Sequence, residues 1–447
     1  MTKKADPMVN EKSFLELSWQ YKLLGNTTLR LVDGRQIEVL SSGYRSSGQK
    51  GEVPEFVFAQ VRFVDSGIIM HGSVRVDTLS SDWRRQQQVG RSAFDGVVLH
   101  FVGECDSVVI HNGVEVPTLC APRIDYLRDN ASRVAGECHG YIAQLDEVHR
   151  EQILSRMASE RLERKSGEVL ALLPSVNGNW HKLAVQFLIM SFGYRSSKKP
   201  FAQLAQLSPI DAIVGDMVDR ESLEAIFLGL SGFLDQGAVL DGFGWQLSER
   251  YLELASSFGL SGRVSLRGNY RLRPQSNPQL QLARLAAILG ENGSFWDRLL
   301  GSVDYFDVRE IFRGSLGSYW HTHLMLGVEC SRGATALSRA RVDGLIINFV
   351  VPLLHAYGQW LGDEDIKERA IDFLIATSAE ENTLITKWKS EGCRPMNSYQ
   401  TQALLEISKM FCAAGGSRCF ECPVGGSIVV DYYRRYSHGM GFSDNNQ

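Results

Sequence analysis

Three cysteines near the end of the chain have the spacing of metal ligands: Cys412-x6-Cys419-x2-Cys422. Two cysteines separated by two residues form a knuckle, because the short loop turns both thiolates toward one ion. The motif carries no evident fourth ligand, which Cys393 or His438 would supply by folding back. Reduced thiols beneath the last helix are the alternative. Tyr270-Arg271-Leu272-Arg273-Pro274 holds two arginines two apart. Extended backbone, which the residue before proline prefers, puts both guanidinium groups on one side, as a fork for phosphate or carboxylate. An interdomain ion pair uses the same geometry. Trp83-Arg84-Arg85 offers a ring and two cations, which suits stacking a base and touching its phosphate, although an ordinary surface turn has the same composition. His321 and His323 would pinch a metal only from a strand, and a lone His-x-His is a weak signal.

These groups sit in an ordinary globular chain. Its 447 residues, 44% hydrophobic and 22% charged with 12 prolines, exclude disordered and low-complexity classes and fit two to three domains. The net charge of −4 provides no global attraction to nucleic acid or anionic lipid, so any such contact is local. The first dozen residues are polar rather than signal-like. The longest apolar run, 345–357, is interrupted by Asn348, Pro352 and His355 and is too short to cross a hydrocarbon layer of about 30 Å, so it reads as a buried helix or strand pair. Eight cysteines are too sparse for a disulfide scaffold. Cys105, Cys120, Cys138, Cys330 and Cys393 show no motif spacing, and a reducing cytoplasm is the expected location. Neither a nucleotide-binding glycine loop nor a serine-hydrolase elbow is present.

The elements that position the candidate groups change character along the chain. Phe14, Leu17, Tyr21 and Leu24 mark one face of a first helix, with Glu16 and Gln20 on another. Residues 28–39 alternate about Asp33-Gly34, a hairpin signal. Strands are expected at 56–63, 72–79 and 96–102, a helix at 81–91, and a second hairpin over 108–119 turning at Asn112-Gly113. Beyond about Pro122 the period becomes 3.6, with helices expected at 141–164, 180–192, 221–233, 248–258, 278–289, 366–378 and 399–411. The expectation is an α+β protein: a mixed α/β domain at 1–125, a mostly α-helical region at 126–411, and a cysteine-containing tail at 412–447.

The N-terminal order of helix, strands, helix, strand is that of the PD-(D/E)XK nuclease superfamily. Val53-Pro54-Glu55-Phe56, Gly72-Ser73-Val74-Arg75-Val76-Asp77, Ser80-Ser81-Asp82-Trp83 and Val97-Val98-Leu99-His100-Phe101-Val102 follow in turn. Together they resemble a bacterial family of unknown function with the motifs Gly-Pro-Asp-Phe, Gly-x-Val-Glu-Ile-His, Ser-Ser-Asp-Trp and Val-Ile-Leu-His-Val-Val, itself similar to a PD-(D/E)XK variant. The resemblance continues through Gly229-Leu230-Ser231-Gly232-Phe233-Leu234, Arg271 and Arg273, Glu381-Asn382 and the terminal cysteines, where the similar family tail implies a structural Zn2+ or an iron–sulfur cluster.

In such a site two carboxylates hold Mg2+ or Mn2+ for phosphodiester chemistry. Here the family Asp is Glu55, the family Glu is Arg75 and the family His is Asp77, so the acid-x-base pair is reversed. If Arg75 and Asp77 face one pocket the pair is rebuilt, with Glu55 and Asp77 as metal ligands and Arg75 on phosphate; Arg84, Arg85, Arg271 and Arg273, read from their own spacing, are the further expected contacts to DNA or RNA. An Arg75–Asp77 ion pair on a retired site is the competing reading. Glu16 is read mainly as a solvated helical face, Asp82 as a helix-start charge, and His100 as a core histidine more than a catalytic one. The expected function is therefore a nuclease-like protein with an altered metal site that binds nucleic acid or an associated partner. The rivals are a non-catalytic protein-binding subunit, without membrane contact, and a hydrolase of another substrate.

Overall fold

The computed structural model describes residues 11–24, 28–46, 51–85, 92–121, 138–193, 197–235, 240–266, 274–291, 293–412 and 421–437. Arg271, Arg273, Cys419 and His438 lie outside them. The protein is α+β, and it divides into two compact units, one comprising Met1–Leu154, Asn382–Arg394 and Leu404–Gln447, the other Ser155–Glu381 and Pro395–Ala403.

The first unit opens with helix α1 (Glu11–Gln20), then strands β1 (Thr28–Arg30), β2 (Gln36–Ser41), β3 (Tyr44–Arg45), β4 (Phe56–Phe63) and β5 (Ile69–Leu79). A short helix α2 (Asp82–Arg85) leads to β6 (Val97–Glu104), the small hairpin β7 (Ile110–His111) and β8 (Val114–Glu115), and β9 (Thr118–Cys120). The sheet order is β1-β2-β4-β5-β6-β9, with β3 beside β4. Pairing is antiparallel up to β5, then parallel from β5 to β6 and from β6 to β9. The turn at Asn112-Gly113 has positive φ at both residues, 50° and 79°, the geometry that matches the twist of a two-residue hairpin.

Alternation along the strands sends Phe56, Ala59, Val61, Val74, Val76, Leu99 and Phe101 into one core with Leu15 and Trp19 of α1. Each such fully buried large side chain contributes roughly 1.5–3 kcal/mol. A second, smaller core gathers Trp83, Phe94, Val109 and Val116. The expected helix 81–91 is described only as α2, and its Trp83 is fully buried.

Cys105 and Cys120, which show no motif spacing in the sequence, form a disulfide with Cα atoms 6.1 Å apart. The cause is tertiary: parallel pairing sets Val102 opposite Cys120, so Cys105, just past the end of β6, comes back alongside it.

The second unit is helical. The apolar run 345–357 is a helix, bounded by Arg339–Leu345 and Val351–Leu361 with a π turn at Ile346–Val350 between them. Pro352 explains the turn, since proline lacks an N–H and its ring displaces the carbonyl four residues earlier. This 23-residue helix is long and apolar enough to cross a membrane, but its most apolar window is 67% buried by protein. Gly229, in helix Arg220–Leu230, leaves room for Tyr251, because an added Cβ would stand 2.3 Å from that ring.

Candidate functional site

Strand register builds the site. Arg75 and Asp77 are two apart on β5 and share a face. Antiparallel pairing sets Phe56 opposite Val74, so Glu55, one residue before β4, stands beside Arg75; parallel pairing sets His100 opposite Arg75. Four chemically active side chains thus meet on three neighbouring strands, and α1 adds a fifth, Lys12.

Arg75 is fully buried and sits between the two acids. Its Nε donates to Asp77 Oδ2 at 2.9 Å and its Nη2 to Oδ1 at 2.8 Å, while Nη1 donates to Glu55 Oε1 at 3.0 Å. Lys12 Nζ completes the ring at 2.8 Å from Glu55 Oε1 and 3.3 Å from Asp77 Oδ1. The other Glu55 oxygen accepts the backbone N–H of Val76 at 2.9 Å. His100 Nε2 lies 3.1 Å from Asp77 Oδ2, which fixes its proton on that nitrogen. Its Nδ1 is buried with no hydrogen-bond partner among the described residues.

The walls are aromatic: Trp83 lies edge-on to His100 at 5.1 Å between ring centres, and the Arg75 guanidinium stands 5.6 Å from the centre of the Phe94 ring. Burial would raise the Asp77 carboxyl. Hydrogen bonds from His100 and Arg75, with the charges of Arg75 and Lys12, outweigh it and hold Asp77 below its ordinary value. Two cations and two anions therefore neutralise one another in a largely buried cluster.

Mg2+ or Mn2+ does not fit this arrangement. The guanidinium occupies the space between the carboxylates, and a divalent ion about 4 Å from it would meet about 8 kcal/mol of repulsion at an effective dielectric near 20. Among the described residues, no three acidic, imidazole or thiol groups are gathered as a metal site.

The other candidates have separate structural roles. Glu16 is buried and ion-paired with Arg45, which corrects its reading as a solvated face. Asp82 Oδ2 accepts the N–H of Leu79 at 3.1 Å. Trp83 cannot stack a base, since it is fully enclosed; Arg84 donates to the Val108 carbonyl at 3.3 Å, and Arg85 lies 3.5 Å from Asp82. Ser80 locks the strand end by accepting the N–H groups of Asp106 and Ser107 at 3.0 and 2.9 Å. His323 is buried and stacked on Tyr319, whereas His321 is exposed, so the two do not form a pincer. Cys412 is half-buried and Cys422 buried.

Lys12 is the member that sequence reading missed. It precedes Glu16 by four residues, hence one helical turn on the same face, and that spacing was the available signal.

A model of one protein family matches residues 12–383. The chain belongs to the family described as "Protein of unknown function (DUF2851)". The match begins at Lys12 and includes every member of the buried charge cluster. No curated protein and no solved structure matches the chain.

Proposed function

We propose that the first unit is a PD-(D/E)XK-like domain whose metal position has been taken over by a guanidinium, and that the protein acts by binding a protein partner rather than by cutting phosphodiesters. The observation that carries this reading is the fully buried Arg75, bonded at once to Asp77 and Glu55. The helix-first order and the parallel β5–β6 pair after an antiparallel β4–β5 pair support the superfamily likeness. Buried ion pairs of this kind stabilise little beyond an apolar replacement, yet resist loss of one member, so the cluster reads as a structural pin.

A protein partner is favoured over nucleic acid by what the surface offers. The net charge is −4, Trp83 is enclosed, and Arg84 and Arg85 already have protein acceptors. Tyr44 and Phe58, by contrast, are 75% and 74% exposed on adjoining strands, and a β-bulge with φ of 59° at Phe58 turns that ring to solvent.

The test is incubation of the full-length chain with single- and double-stranded DNA and RNA plus Mg2+ or Mn2+, beside binding titrations at rising salt. Intact substrates and negligible low-salt binding are expected. Cleavage abolished by Asp77→Ala would overturn the non-catalytic reading, and binding that weakens steeply with salt would return nucleic acid as the partner.

A further inference from the structure

The segment between Cys105 and Cys120 covers one wall of the charge cluster. Both of its ends are fixed. Asp106 and Ser107 give their backbone N–H groups to Ser80 Oγ at 3.0 and 2.9 Å, and at the other end the Pro117 carbonyl accepts the His100 N–H at 2.8 Å. Between these anchors the hairpin β7–β8 folds back, with the Val116 N–H donating to the Val109 carbonyl at 3.0 Å. Val109, His111 and Val116 turn inward and are buried, whereas Val108, Ile110 and Val114 are exposed. The inward side closes on Trp83. The His111 ring stands 5.6 Å from that indole, which in turn stands 5.1 Å from His100, the imidazole bonded to Asp77.

The cover fits its bed by apolar contact and not by polar pairing. Among the described residues, Trp83 Nε1, His100 Nδ1, His111 Nδ1 and Ser107 Oγ are buried without a hydrogen-bond partner. Ser107 and His111 belong to the cover, Trp83 and His100 to what lies beneath it. Closure therefore strips water from all four atoms and returns no bond to them. A segment closed in this way sits at the low-stability end of a structure and opens readily unless something else holds it. The disulfide Cys105–Cys120 lies just outside both anchors and closes the base of the loop, and both cysteines are half-buried, within reach of a reductant.

We propose that Cys105–Cys120 is a redox latch: as a disulfide it holds residues 106–119 shut over Trp83 and His100, and its reduction by a dithiol lets the segment lift and opens the imidazole beside Asp77 to solvent. One thiolate of the dithiol attacks a protein sulfur, and the S–S bond breaks to leave a mixed disulfide and one protein thiol. The second thiolate then displaces the remaining protein sulfur. Cys105 and Cys120 end as thiols and the reductant as a cyclic disulfide, two electrons and two protons having passed to the protein. The loop, closed across a separation of 15 residues, regains the conformational freedom that the bond had removed.

The experiment is histidine footprinting of the full-length chain with diethyl pyrocarbonate, read by peptide mass spectrometry, in the disulfide form and after dithiothreitol treatment and anaerobic desalting. A thiol count establishes each state. Labelling of His111 and His100 is expected to rise on the order of a hundredfold on reduction, the release that a loop of this length implies, and to fall again on reoxidation. His149, exposed on helix Glu147–Leu170, should label equally in both states, and the far-UV circular dichroism should not change. Cys120→Ser should label like the reduced chain with no reductant added. A rise below about threefold, or Cys120→Ser labelling no faster than the disulfide form, would overturn the proposal. Free thiols at Cys105 and Cys120 in the air-oxidised chain would also overturn it. Loss of the circular-dichroism signal on reduction would do the same, by showing a staple for the whole unit in place of a latch.

Discussion

Replacing Arg75 with alanine removes three hydrogen bonds at once: two to Asp77, at 2.9 and 2.8 Å, and one to Glu55 at 3.0 Å. Lys12, His100 and the Val76 N–H remain, but Asp77 has no solvent exposure through which water could replace the guanidinium. Removing one partner of a buried pair costs about 3–5 kcal/mol. At 1.36 kcal/mol per decade this is roughly a hundredfold to a few thousandfold loss of protection for β5 amides in native-state hydrogen exchange, a local readout suited to a two-unit chain.

The loss should depend on pH. Asp77 is held below its ordinary 3.8, so its stabilising contribution is complete above that value and disappears as pH falls through its lower folded-state pKa. The gap between wild type and variant should therefore narrow as Asp77 takes up its proton. Arg75→Met combined with Asp77→Leu, Glu55→Gln and Lys12→Met should cost less than Arg75→Ala, since it removes both cations together with both anions. A loss of protection below tenfold for Arg75→Ala at neutral pH would refute the reasoning.

The second unit contains two opposing titrations. Burial pushes Glu224 up to about 7, so its share of stability is full below 4.5 and lost as pH rises through 7; burial pushes His355 down to about 4, so its share is full above 6.5 and lost as pH falls through 4. Denaturation of the wild type should be nearly flat from about pH 4.5 to 6.5, and Glu224→Gln should unmask a His355 slope worth about 3 kcal/mol across its whole window. Reducing Cys105–Cys120, separated by 15 residues, should lower the stability of the first unit by about 3 kcal/mol, seen as weaker exchange protection in β6 and β9. Gly229→Ala should destabilise the second unit by about 1–3 kcal/mol in thermal unfolding, because the new methyl group meets the Tyr251 ring.

Local patterning made much of the fold legible. Two-residue alternation marked β4, β5 and β6, Asn112-Gly113 marked its hairpin, and 3.6-residue periodicity marked helices Trp180–Phe192 and Pro278–Leu289 within a residue or so. Features that depend on distant partners were not legible in the same way. The disulfide follows from the parallel β6–β9 register, and the burial of Glu16 follows from Arg45 approaching it across the sheet edge. At the site, alternation placed Arg75 and Asp77 together, but whether a cation or a metal would fill the space between the acids depended on how deeply the guanidinium is enclosed. Lys12 arrives from another element, and only its helical spacing from Glu16 hinted at it. Trp83 looked like a surface ring because its flanking arginines are exposed, while its own burial is set by Phe94, His100 and His111.

The central claim is that Arg75 replaces a metal ion between Glu55 and Asp77. A crystal structure determined in the presence of Mn2+, with anomalous scattering used to locate the ion, tests it most directly. The expected result is no manganese at this position and a guanidinium still bonded to both carboxylates. Manganese bridging Glu55 and Asp77, with Arg75 swung away, would contradict the account.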